Sequence, residues 1–154
     1  MSHTFQKIKW NGSEVKLAWT TGNPFGVEFE HTMRSKEAPH PELDERFRAF
    51  VPHVLKLLEL PESYDEKFRV TGLSINTEED GRCGLVVTCM KGIADANAPL
   101  VINTPHLRER MDEEGVGFLP GEMLDCLADV ERAAQGYLDG KRAQADMFDA
   151  ERGE

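Results

Sequence analysis

Asn11-Gly12 separates two runs in which large apolar residues alternate with charged ones, and this pair constrains the fold more than any other short stretch. Ile8 and Trp10 share one face of the first run; Val15, Leu17 and Trp19 share one face of the second, with Lys and Glu opposite. A period of two is that of a half-buried strand, and Asn-Gly tolerates positive φ at both central positions of a tight turn. Phe5 to Trp19 is therefore expected to be a β-hairpin. Beyond Gly22-Asn23-Pro24 and Gly26, the residues Val27, Phe29, His31 and Met33 alternate with Glu28, Glu30 and Thr32, which predicts a third strand. Strands with one apolar and one charged face make an antiparallel sheet covered on one side only. His31 falls on the apolar side, where a histidine satisfied within the core is the expectation rather than a ligand.

Ala38-Pro39-His40-Pro41 ends the strand, and the second proline suits a first helical turn. Leu43, Phe47, Phe50, Val51, Val54, Leu55 and Leu58 then mark a broad apolar face, interrupted by Pro52, so a kink or two short helices is predicted. Phe68 to Ile75 reads as a strand whose inward set changes face at Thr71-Gly72, the signature of a bulge. Cys83 to Met90 returns as a strand, and the consecutive Leu85, Val86 and Val87 predict one that is central and buried on both faces. Glu78, Glu79 and Asp80 between them read as solvated turn residues, not metal ligands. Leu100 to Ile102 adds a strand that Pro105 ends, and Arg108 to Gly117 reads as a charged loop. Met123, Leu124, Leu127, Val130, Ala134, Tyr137 and Leu138 recur at helical spacing from Gly121, with Gly140 as the stop.

The order βββα-βββα predicts an α+β domain over residues 1–140: a mainly antiparallel sheet of about six strands with two main helices on one face. It also hints at an internal pseudo-repeat. Residues 141–154 are expected to form a flexible acidic tail. A chain of 154 residues suits one domain, and its net charge of −10 argues against broad nucleic-acid binding through a basic face, although a local basic patch is compatible with it. Cys83, Cys89 and Cys126 are odd in number and lack metal or redox spacing, no secretory leader precedes them, and no apolar run reaches membrane-spanning length. These features predict a reduced, cytoplasmic protein.

Candidate chemistry is sparse. No phosphate-binding glycine loop and no nucleophile elbow is present, so no cofactor is expected and an enzyme is the weaker class. Asn103, Thr104 and His106 cluster at a strand end, a usual place for a ligand or partner, though such residues also bond to local backbone. His40 joins them as a candidate, because a shared acid–base or metal site with His106 arises if the fold brings the two together. Cys89 lies on the face of Leu85 and Val87 and reads as a structural thiol.

The last stretch is different in kind. Gln144-Ala145-Asp146-Met147-Phe148 sets two large apolar side chains in a charged terminus. The peptide resembles the short motif by which many bacterial DNA-metabolism proteins bind the replication sliding clamp: Gln, a free position, Asp or Ser, Leu or Met, then Phe. The resemblance implies that Gln144 fills a polar subsite, that Met147 and Phe148 enter an apolar pocket, and that Asp146 holds the intervening position. Met147 departs from the commoner Leu but has a similar volume. Lys36 to Pro41, Val70-Thr71-Gly72, Ala98 to Leu107 and Tyr137 to Phe148 together resemble a family of small, mostly uncharacterised proteins that tailed bacteriophages encode among early DNA-replication and recombination genes. That resemblance implies the cytoplasm of a bacterial host and supplies no catalytic residue.

Three functions compete at this point. The first is a non-enzymatic accessory protein of DNA replication or recombination, its tail on the host clamp and its body on another replication or recombination protein. The second is a counter-defence protein that occupies a host nuclease or sensor. The third is a single-stranded DNA binder that stacks bases on Trp10 and Trp19; both tryptophans fall on faces assigned to the core, which disfavours it.

Overall fold

A computed structural model describes residues 3–23, 25–77, 82–93, 98–108 and 119–142. Strands β1 (His3–Trp10) and β2 (Val15–Gly22) form the expected hairpin, paired from Trp10↔Val15 to His3↔Thr21. The turn is not the two-residue type predicted. Only Gly12 has positive φ, at 98°, and the Asn11 side-chain oxygen closes a longer turn by accepting from the Ser13 and Glu14 amides at 2.9 and 3.0 Å. The asparagine oxygen replaces a backbone acceptor, so Asn11 itself has no need of the left-handed region.

Strand β3 (Glu28–Ser35) lies along the whole of β2 in unbroken antiparallel register. The second half repeats the plan with β4 (Phe68–Thr77), β5 (Cys83–Lys91), β6 (Leu100–Asn103) and a short β7 (Leu107–Arg108) that the sequence pattern missed. The sheet order is β3-β2-β1-β4-β5-β6, and β7 continues the β6 edge by pairing with β5. Each half is thus a meander running outward from the middle, where β1 and β4 meet antiparallel with Ile8 opposite Leu73. The predicted pseudo-repeat is a property of topology rather than of residues. The register of β4 on β5 slips between Val70 and Gly72, which is the bulge foreseen at Thr71-Gly72.

The first predicted helix is two helices, α1 (Pro41–Arg48) and α2 (Val51–Leu57), with Pro52 in the first turn of the second. There its missing N–H has no intrahelical partner to lose. A 3-10 turn over Glu62–Lys67 follows, unforeseen because its six residues bury no side chain and so leave no apolar period. The last helix, α3 (Gly121–Leu138), has the predicted ends, with Gly140 at φ 102°. The three helices cover one face of the sheet: Leu43, Phe47, Phe50, Val54, Met123, Leu127, Val130 and Tyr137 pack with Ile8, Leu17, Leu73, Leu85, Val87 and Cys89 in one buried cluster. Val86 is only half-buried, on the opposite face, which is left uncovered by helices among the described residues, so β5 is interior to the sheet without being buried on both sides. No helix among the described residues is long and apolar enough to cross a membrane.

Candidate functional site

Cross-strand register assembles a row of side chains across the uncovered face. Arg34 lies opposite Lys16, Lys16 opposite Lys9, Lys9 opposite Gly72, Gly72 opposite Thr88, and Thr88 opposite Asn103. Lys7 stands one step away, between Ala18 and Ser74. Like charges placed directly opposite destabilise a sheet, so this row is not what sheet stability alone selects. Glu14 offsets part of the cost: Arg34 Nε donates to its carboxylate at 2.5 Å, and that bond, with the nearby charges of Arg34, Lys16 and Lys36, holds the Glu14 carboxyl below its usual range. Lys9 crosses the bare backbone of Gly72, where an added Cβ would lie 3.0 Å from the Lys9 Cγ. The far end is uncharged, with the Thr88 hydroxyl donating to Asn103 Oδ1 at 2.7 Å. Such a surface is chemically suited to acidic groups, through the compact ammonium charges of the lysines and the planar guanidinium fork of Arg34.

The strand-end candidates resolve into separate tasks. Thr104 is buried; its N–H donates to the Val87 carbonyl and its hydroxyl oxygen accepts from the Val87 N–H, both at 3.0 Å. It therefore carries the sheet ladder across the break between β6 and β7 and is not exposed to a ligand. His106 sits on the uncovered face over Gly84, whose missing side chain makes room for the imidazole, and Arg108 Nε approaches its Nδ1 at 3.4 Å. His40 belongs to the helical layer, where its Nδ1 accepts the Glu42 N–H at 3.2 Å and caps α1. The sheet stands between the two histidines, so no shared acid–base or metal site forms. Among the described residues no group of three or more His, Cys, Asp or Glu is placed to hold a metal ion.

Other reactive groups are equally engaged. Cys89 is fully buried, and burial pushes its thiol up to about 11. His31 stacks on Trp19 with ring centres 5.3 Å apart and shares a hydrogen bond of 2.9 Å with the Thr21 hydroxyl, satisfied as expected but half-buried rather than within the core. Trp10 is buried and Trp19 partly buried, both on the helical side, so neither offers a stacking platform on the open face. A cleft of about 580 Å³ between α1 and β4 is lined by Asp44, Arg48, Asp65, Glu66 and Arg69 around Phe47, with Arg69 3.7 Å from Asp44.

Gln144, Asp146, Met147 and Phe148 lie outside the described residues, as do the turn acids Glu78, Glu79 and Asp80. The chain leading to the peptide is nonetheless fixed. Arg142 forms an isolated bridge with Pro39, lies 3.3 Å from the centre of the Tyr137 ring, and donates to the Tyr137 carbonyl and, at 3.0 Å, to the Glu37 carboxylate. Lys141 donates to Glu42 at 2.5 Å, which lowers the Glu42 carboxyl pKa, and the Tyr137 hydroxyl donates to the Glu37 carbonyl at 2.7 Å. Sequence reasoning missed this anchor because its parts are about a hundred residues apart; the basic row was missed because strand register, not spacing, brings it together. Comparison with family models, with curated proteins and with solved structures found no match.

Proposed function

We propose that this chain is a non-enzymatic docking protein of bacteriophage DNA replication or recombination. Gln144-Ala145-Asp146-Met147-Phe148 seats itself in the peptide pocket of the host sliding clamp while the folded body engages a second protein of the same machinery. The observation that carries the reading is the peptide itself, which meets every position of the clamp-binding pattern and begins two residues after the Arg142 anchor. The engagement of Cys89, Thr104 and His40 in packing, ladder and cap supports a binding role over catalysis. The cationic row gives the body a surface suited to an acidic partner, despite a net charge of −10.

Calorimetry of the full chain with purified clamp tests the reading. Two side chains that desolvate together in a pocket dominate such interfaces, so Phe148→Ala is expected to cost about 2 kcal/mol or more, roughly thirtyfold in affinity. Gln144→Ala is expected to weaken binding as well. Variants that bind like the parent chain, or a parent chain that does not bind, would sink the proposal.

A further inference from the structure

The two edges of the sheet are built differently. Proteins guard exposed edges with short strands, prolines, bulges or charged side chains, lysine above all, because an unpaired edge is a template for another strand. The edge formed by β6 and β7 follows that rule: its strands have four and two residues, with Pro105 in the gap. The β3 edge follows it only in its charges, Glu28, Glu30 and Arg34. It runs eight residues without proline, lysine or bulge, and its flank carries Phe29 at 51% exposure and Val27 at 48%.

The Asn23 N–H donates to the Val27 carbonyl at 3.0 Å, beside the Gly22–Glu28 pair. Antiparallel alternation then turns the backbone groups of Phe29, His31 and Met33 toward β2 and those of Glu28, Glu30, Thr32 and Arg34 outward. A strand added here must oppose residues of the same parity, so a twofold axis passes through a residue rather than between two. The geometry points to a second copy of this chain as the added strand, antiparallel, with the axis at His31. Glu28 then faces the partner's Arg34 on both sides of the axis, Glu30 faces the partner's Thr32, and Phe29 covers the partner's Met33. An axis at Glu30 sets that carboxylate against itself, and one at Thr32 pairs Glu30 with Arg34 and Glu28 with Lys36 but leaves Phe29 opposite Ser35. The His31 axis brings the two imidazoles together, and it combines the Glu28–Arg34 pairs on one face with the Phe29–Met33 contacts on the other. Arg34 is suited to this second partner: its side chain is 69% exposed and among the described residues its bond is through Nε to Glu14. The helices pack over β1 and β4, and among the described residues no strand pairs with β3 on its outer side.

Light scattering after size exclusion and native mass spectrometry of the full chain test this. The parent chain is expected to dimerise in a concentration-dependent way. Glu28→Arg alone and Arg34→Glu alone each oppose like charges and should be monomeric at concentrations where the parent is dimeric; an equimolar mixture of the two restores both ion pairs and should yield the heterodimer. Thr32→Pro removes an outward N–H without touching the β2 ladder and should be a folded monomer, as checked by circular dichroism. A monomeric parent overturns the proposal, whether the edge is then idle or takes a strand from another protein, and so does a dimer that survives all three substitutions or a mixture that stays monomeric.

Discussion

Thr104 distinguishes a ladder residue from a ligand-binding one. Its hydroxyl oxygen is the acceptor for the buried Val87 N–H. Thr104→Val keeps the shape and strands that donor, so a loss of about 1–3 kcal/mol is expected in urea unfolding. A change under 0.5 kcal/mol, within the ordinary range of surface substitutions, would contradict the ladder role. Glu131 is the opposite case, a carboxylate that the fold disfavours. Burial within α3 raises its pKa from the ordinary 4.5. The folded state therefore holds this proton more tightly than the unfolded chain, and stability falls as pH rises from about 4.5 through the higher folded-state value. Glu131→Gln is expected to raise the melting temperature at pH 7 and to leave it unchanged at pH well below the carboxyl range. Thermal scans of both proteins across pH check the sign; equal stabilisation at low and neutral pH would remove ionisation as the cause.

At the scale of elements, Pro52 shows how a local signal depends on where a helix starts. In a helix interior a proline costs roughly 3 kcal/mol, but in the first turn of α2 it displaces no hydrogen bond. Pro52→Ala is accordingly expected to change stability by about 0.5 kcal/mol or less; a gain near 3 kcal/mol would mean that α1 and α2 behave as one continuous helix. The elements that sequence predicted well, the first hairpin, α3 and the Thr71-Gly72 bulge, are those whose apolar period or turn residue acts within a few positions. The ones it missed, β7 and the 3-10 turn, are too short to show a period. Asn11 was misread and Thr104 left open between ligand and backbone for a related reason: the sequence identifies the residue type, while the partner that fixes its role lies elsewhere or replaces a backbone group.

For the molecule as a whole, the seam between β1 and β4 joins two meanders that are far apart in sequence. Ile8 and Leu73 face each other there, both fully buried. Ile8→Ala and Leu73→Ala are each expected to cost about 2–5 kcal/mol, with a non-additive double variant because they share one site. If the seam couples the halves, tryptophan fluorescence and circular dichroism lose structure in one coincident transition; separate transitions would make the meanders independent units. Fold class and helical cover were legible because every strand keeps its apolar side toward the helices. The basic row was not, since only the pairing of six strands places Arg34, Lys16 and Lys9 in line with Asn103.

The Arg142 anchor also sets a length. From Arg142, bridged to Pro39, six residues lead to Phe148, and an extended chain spans at most about 3.5 Å per residue, so the Phe148 Cα lies no farther than about 21 Å from that of Arg142. A receptor for that ring would always lie near the same corner of the domain, so any second contact made from that corner would form at a raised effective concentration.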